Sequence, residues 1–163
     1  KTLRRFVLEP GCSLRFDTVF ERVINACAQT PRDGQPGTWI VPEMIDAYTN
    51  LHQAGHAHSV ETWIHGELVG GLYCVNLGNM VFGESMFSHQ SDASKIALAG
   101  LVAFCRAKGI AMIDCQQETA HLHSLGAAPI SRRKFLEQLQ ISLNQTKIEL
   151  SWTFDKTILT HWL

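Results

Sequence analysis

Within "MIDCQ", residues Met112 to Gln116, an acid at Asp114 and an amide at Gln116 stand two places apart in an otherwise apolar run. Residues i and i+2 of a strand point to the same side, so the two polar groups are expected on one face of a core strand, about 6.6 Å apart along the backbone. A structural polar pair is one reason for a core strand to carry them, and a reaction centre is another. "FGESMF" sets Glu84 in an apolar strand between Phe82 and Phe87. A buried carboxylate is costly unless it meets a donor or a cation, so Glu84 either closes a hydrogen-bond network or awaits a positively charged ligand.

Other chemistry-bearing residues carry less. "GHAH" and "HLH" hold His56 with His58 and His121 with His123 two apart, a spacing that could bring two imidazoles to one strand face. No Cys or carboxylate stands beside them at ligand spacing, so hydrogen-bonded histidines and no metal are expected. Cys115, between Asp114 and Gln116, faces the other side of the strand and reads as a core thiol rather than a nucleophile. GxSxG, Walker and HExxH signatures are all missing.

These residues sit in a chain of 163, 45% hydrophobic and 18% charged, enough for one domain with a substantial core. The longest apolar candidate, around Ile96 to Phe104, falls far short of the roughly 20 residues of a membrane span, so a soluble protein is expected. Five cysteines, an odd count without a CxxC pair, fit free thiols in a reducing cytoplasm. The chain opens at Lys1 with no signal-peptide order and reads as a piece of something longer. A net charge of -1 excludes a generic phosphate-coating protein and leaves only local basic clusters: Lys1, Arg4 and Arg5, then Arg132, Arg133 and Lys134.

The periodicity predicts the elements that must position these groups. "DTVFERVINACAQT" is a helix capped by Asp17 or Thr18, and "VPEMIDAYTNLHQAG" a second, with Ile45, Tyr48 and Leu51 along one stripe and Gly55 as its stop. "HSVETWI", "ELVGGLYCVNLG" and "NMVFGESMF" are three antiparallel strands turned at His65–Gly66 and Gly78–Asn79. "SDASKIALAGLVAFCRAKG" is a long helix with a Ser or Asp start and a face of Ile96, Leu98, Leu101, Val102 and Cys105. The strand "IAMIDCQ" follows, then a short helix closed by Gly126 and the helix "SRRKFLEQL". The expected organisation is a single domain over 1–163, with a lead-in helix in 1–37 and an irregular tail over 144–163 whose Trp152 and Trp162 pack back on the body. The fold class is α+β: a mixed sheet with helices on both faces, in an order shared by GCN5-related acyltransferases.

"TWI...MIDAYTNLHQAGHAHSVETW", "LVGGLYCV", "FGESMFS...ASKIAL", "IDCQ" and "HSLGA...SRRKFL", in this order from about Gly37 to Leu139, closely resemble the bacterial leucyl/phenylalanyl-tRNA-protein transferase family. The resemblance implies an enzyme that moves Leu or Phe, with some leakage to Met, from the 3′ end of charged tRNA to the α-amine of a protein beginning with Arg or Lys. That product is marked for N-end rule degradation in the cytoplasm. It implies no cofactor, a reaction centre at Glu84, Asp114 and Gln116, and an apolar pocket for the transferred side chain at Leu72, Met86, Leu98 and Ile113. Gln116 would accept a hydrogen bond from the attacking amine, and Asp114 would hold the Gln116 NH₂. Arg4 and Arg5 are the first choice for tRNA phosphate. The resemblance further implies an N-terminal domain, which is expected ahead of Lys1.

Two other function classes remain. One is a non-catalytic module of the same fold that holds peptide N-termini or RNA ends. The other is a CoA-dependent N-acyltransferase, against which the glycine-free turn "SHQSDAS" argues, because Asp92 opposes an anion that Ser88, Ser91 and Ser94 could otherwise meet.

Overall fold

The computed structural model describes residues 10–31, 38–144 and 151–155. Its elements run β1 (Cys12–Phe16), α1 (Phe20–Gln29), α2 (Pro42–Gln53), β2 (Ala57–Ile64), β3 (Glu67–Leu77), β4 (Met80–Ser88), α3 (Ala93–Ala107), β5 (Met112–Asp114), α4 (Ala120–Ser124) and α5 (Arg132–Asn144). The five strands form one sheet in the order β1-β2-β3-β4-β5. The first four are antiparallel neighbours, and β5 lies parallel to β4 after the crossover through α3.

Alternation along β3 divides the core between the two faces of this sheet. Leu72 and Cys74 join the α3 side chains Ile96, Leu101 and Phe104 in one cluster. Tyr73, between them, joins Phe20, Val23 and Ile24 of α1, with Ile45 and Tyr48 of α2 packed alongside. Helices therefore cover both faces, as the α+β reading expects. Gly70 permits the close seat of α3, since a Cβ there would meet the Ala93 Cβ at 2.5 Å, and the Thr62 hydroxyl donates to the Ala93 carbonyl at 2.9 Å.

Several local expectations fail for identifiable reasons. The lead-in to α1 is a strand: β1 pairs along β2 from Cys12↔Ile64 to Phe16↔Val60, a long-range partnership that five residues cannot announce alone. Neither Asp17 nor Thr18 caps α1 with its side chain. The Thr18 and Val19 N–H groups donate instead to Glu61 Oε1 at 2.9 and 3.1 Å, and the Thr18 hydroxyl donates to Glu61 Oε2. A carboxylate carried in by β2 thus meets the positive end of α1. Asp17 turns away, accepting from the Ser59 N–H at 2.8 Å and lying 2.8 Å from His58 Nδ1. Leu51, assigned to the α2 stripe, is exposed. The α3 helix does start at Asp92, its N-cap residue, which adopts φ +65° and pairs with Lys95 at 2.6 Å without a side-chain cap bond, and of the expected face Ile96, Leu101 and Cys105 are buried while Leu98 and Val102 are half-buried.

The α4 and α5 helices lie where expected, with Thr119 Oγ1 accepting from the Leu122 N–H at 3.1 Å and α5 continuing to Asn144. Gly78, at φ +57°, turns the β3–β4 hairpin against buried Ser142 of α5, whose carbonyl any Cβ at that position would overlap. Residues 151–155 are irregular, and Trp152 does pack back, stacking on His58 at 3.8 Å between ring centroids. Trp162 lies outside the described residues.

Candidate active site

Among the described residues β5, three residues long, is the last strand of the sheet, and this decides the geometry around "MIDCQ". Its pairing with β4 ends at Phe82↔Asp114, while β4 runs on to Ser88. β4 is buried at Met80 and Val81 but half-buried from Phe82 to Met86, where β5 no longer covers it. Asp114 and Gln116 therefore stand at the mouth of a fork and not within a core strand. Asp114 is half-buried and Gln116 exposed.

The two residues do not share a strand face, because Gln116 leaves the strand in the left-handed region at φ +61°. Asp114 Oδ1 accepts from the backbone N–H of Gln116 at 2.8 Å, an Asx-type turn. Asp114 thus fixes the main chain of Gln116 and not its side-chain NH₂, which corrects the expected pairing. Few residues other than glycine adopt such a φ, and Gln116 shares it with Asp17, His65 and Asp92 among the described residues.

Glu84 lies on the other prong. Tyr73 pairs with Ser85 and Cys74 with Gly83, so Glu84 is the extra residue of a β-bulge. Val81 and Met86 both pack on the α3 face, so alternation counted from Met86 would turn Glu84 to that face and alternation counted from Val81 to the other. The bulge sends its carboxylate to the α2 face, where the Tyr48 hydroxyl donates to Glu84 Oε2 at 2.9 Å. Burial, then the hydrogen bond to Glu84 and its charge, push the Tyr48 phenol above its ordinary value, so it stays a donor through the neutral range. Tyr48 is the residue that sequence reasoning missed: its helical spacing marked it only as apolar stripe.

The four expected pocket residues fall together. Leu72 belongs to the buried cluster on the α3 face, and Met86, Leu98 and Ile113 pack against it half-buried, as an apolar wall. Arg4 and Arg5 lie outside the described residues. Cys115 is half-buried rather than a core thiol, and burial followed by the charge of Asp114 raises its pKa, which works against a nucleophile. His56 precedes β2, and His121 and His123 lie on α4, where residues two apart do not share a side. In the "SHQSDAS" turn the Ser88 hydroxyl accepts from the Ser94 N–H at 3.3 Å and donates to the Gln90 carbonyl at 2.7 Å. Among the described residues, no group of three His, Cys, Asp or Glu is placed to hold a metal.

The fork, its apolar wall and its two carboxylates can be set beside known proteins. A family model described as leucyl/phenylalanyl-tRNA protein transferase matches residues 1–140. A leucyl/phenylalanyl-tRNA–protein transferase of a Polaromonas species is 62% identical over 164 residues, covering 98% of this chain and 64% of the relative. That of Methylibium petroleiphilum is 59% identical, covering 99% of this chain and 60% of the relative. The chain thus spans less than two thirds of the length of these relatives. Among solved structures, an aminoglycoside N-acetyltransferase AAC(6')-Iy in complex with CoA matches at a TM-score of 0.45 and 16% identity over 91% of this chain and 99% of that one. A transcriptional regulator from Bacillus halodurans C-125 matches at 0.47 and 13% over 86% and 99%.

Proposed function

This chain belongs to the leucyl/phenylalanyl-tRNA protein transferase family, and from that premise we propose that it carries the site where leucine, phenylalanine or, less often, methionine passes from charged tRNA to the N-terminal α-amine of a protein beginning with Arg or Lys. The product is a substrate for N-end rule degradation, and the reaction belongs in the cytoplasm, where charged tRNA is found.

The reaction is aminolysis of an ester. The α-amine nitrogen forms a bond to the acyl carbon, the carbon–oxygen bond to the terminal ribose breaks, and a proton moves from nitrogen to the departing ribose oxygen. This is downhill, so alignment and one proton transfer are the main demands on the protein. An α-amine with a pKa of about 7.7 leaves a neutral fraction near pH 7 without a strong base. The observation that carries the reading is the exposed Gln116, pinned by Asp114 at φ +61° at the end of β5, beside the strand that bears the bulged Glu84. Its side-chain oxygen accepts from the attacking amine, and Glu84 draws in the acceptor's positive charge. Leu72, Met86, Leu98 and Ile113 take the donor side chain, and Arg4 and Arg5 the tRNA phosphates.

Incubating the chain with leucyl-tRNA carrying labelled leucine and an arginine-initiated peptide tests this. Label in the peptide, lost with Gln116→Ala, is the expected result. Peptide or RNA binding without transfer, unaffected by Gln116→Ala, would replace it with a binding module. Thermal stabilisation by CoA together with acyl transfer from it would replace it with a CoA-dependent enzyme.

A further inference from the structure

On the transferase reading of the Glu84 site, we infer that Tyr48 is a positioning residue for it, and that α2 belongs to the reaction centre through that side chain. Three independent features converge. The β-bulge leaves Glu84 without a ladder partner, at the place where the strand is least constrained by its neighbours. The bulge sets the face on which Glu84 lies, and there the Tyr48 hydroxyl donates to its carboxylate at 2.9 Å. Tyr48 itself is held: its ring meets Tyr73 edge-on at 5.1 Å and Trp39 at 6.4 Å, and α2 begins with Pro42 in its first turn.

The chemistry of the pair suits a substrate-facing carboxylate. A phenol gives one hydrogen bond, and it gives it to Oε2. Oε1 and the spare lone pairs remain for an amine or cation arriving from outside. A Lys or Arg in place of Tyr48 would neutralise the carboxylate, and a residue without a donor would let it swing. A tyrosine orients it and leaves its charge available. The hydroxyl sits on the α2 face, across the sheet from Met86 and Leu98, so its loss acts on Glu84 without touching the apolar wall.

The test is a double-mutant cycle of Tyr48→Phe and Glu84→Ala, read on the transfer rate, on the Kd of an arginine-initiated peptide and on the choice between leucyl- and phenylalanyl-tRNA. Tyr48→Phe keeps the ring and its aromatic contacts, and thermal unfolding checks that the fold is intact. The expected result is a loss of about tenfold or more in the wild-type background, the worth of a hydrogen bond to a charged group. No further loss is expected in the Glu84→Ala background, and the leucine-to-phenylalanine ratio should not change. Wild-type rate in Tyr48→Phe, an undiminished second loss on top of Glu84→Ala, or an altered ratio would overturn the inference while the transferase reading stood. If the wild-type chain transfers nothing, that reading fails, and the cycle is decided on peptide affinity. Coupling there upholds the role of Tyr48, and independence or absence of binding overturns it.

Discussion

Two glutamates in apolar strands, Glu61 in "SVETW" and Glu84 in "FGESM", look alike in the sequence and are opposites in the structure. Glu61 is 0% exposed, and its oxygens are saturated by two backbone N–H groups, the hydroxyls of Thr18 and Ser59 and the Trp63 indole N–H. Glu84 is half-buried at a bulge, where its carboxylate accepts from the Tyr48 hydroxyl. The first carboxylate ties β2 to the start of α1 and has no capacity left for a ligand. The second is oriented but unsaturated. A strand carboxylate is thus a structural element or a candidate binding group according to how many of its lone pairs the fold has already used.

Truncating each glutamate should separate the two roles by the largest effect expected anywhere in this molecule. Glu61→Ala strands the Thr18 and Val19 amides in a buried site, and a loss of about 3 to 5 kcal/mol is expected in the denaturant midpoint analysis. Glu84→Ala should cost less than about 1 kcal/mol, because Tyr48 is only half-buried, yet it should abolish acceptor discrimination. Equal destabilisation by the two substitutions would break the comparison and make Glu84 a second structural clasp.

Gln116→Ala comes next, with a fall of about 100-fold in transfer and little change in stability. Gln116→Gly is the sharper variant. It relieves a left-handed backbone at φ +61°, so it should be more stable than wild type by up to about 1 kcal/mol while transferring no better than the alanine variant. A glycine variant that keeps wild-type rates would show that the main chain there, and not the amide, is what matters.

How much of this was legible in advance follows from the range of the interactions. The helices α1, α2 and α3 and the two hairpins β2–β3 and β3–β4 rest on periodicity and turn residues a few positions apart, and the sequence displays both. Strand β1 rests on pairing with residues almost fifty positions on, and "CSLRF" carries no local sign of it. The bulge exists only in the register of β4 against β3, so the face on which Glu84 points could not be read from alternation. "IAMIDCQ" promised a strand through Gln116, but an Asp two residues before it offers the backbone a competing turn, and where the pairing with β4 ends the turn wins. Tyr48 was read for its ring and not for its hydroxyl, whose partner stands 36 residues away. The choice of candidate site residues came from the resemblance of ordered motifs, and physics alone left it as one option among several.

Asp114 offers a smaller test of which property of a carboxylate the fork uses. As a backbone latch it needs only an acceptor oxygen, and Asn supplies one in the same position. Asp114→Asn should keep transfer within about threefold of wild type, and Asp114→Ala should lose about tenfold as Gln116 drifts from its turn. Asn falling as far as Ala would mean that the charge, and not the turn, serves the reaction.

The smallest effect expected is at Cys115, and it reports on the same charge. Burial first, and then the neighbouring Asp114, raise the pKa of this thiol, so its thiolate is scarce near neutrality. Alkylation of Cys115, followed by peptide mass spectrometry, should be slower than that of a free cysteine at pH 7.5 and should accelerate as pH rises beyond the range where a free thiol has already ionised. Asp114→Asn removes the second cause and leaves the first, so the rate at a given pH should increase modestly without reaching that of a free thiol. An unchanged rate in the Asn variant would mean that Asp114 exerts little field on its own strand end. Its part in the fork would then rest on the hydrogen bond to Gln116 alone.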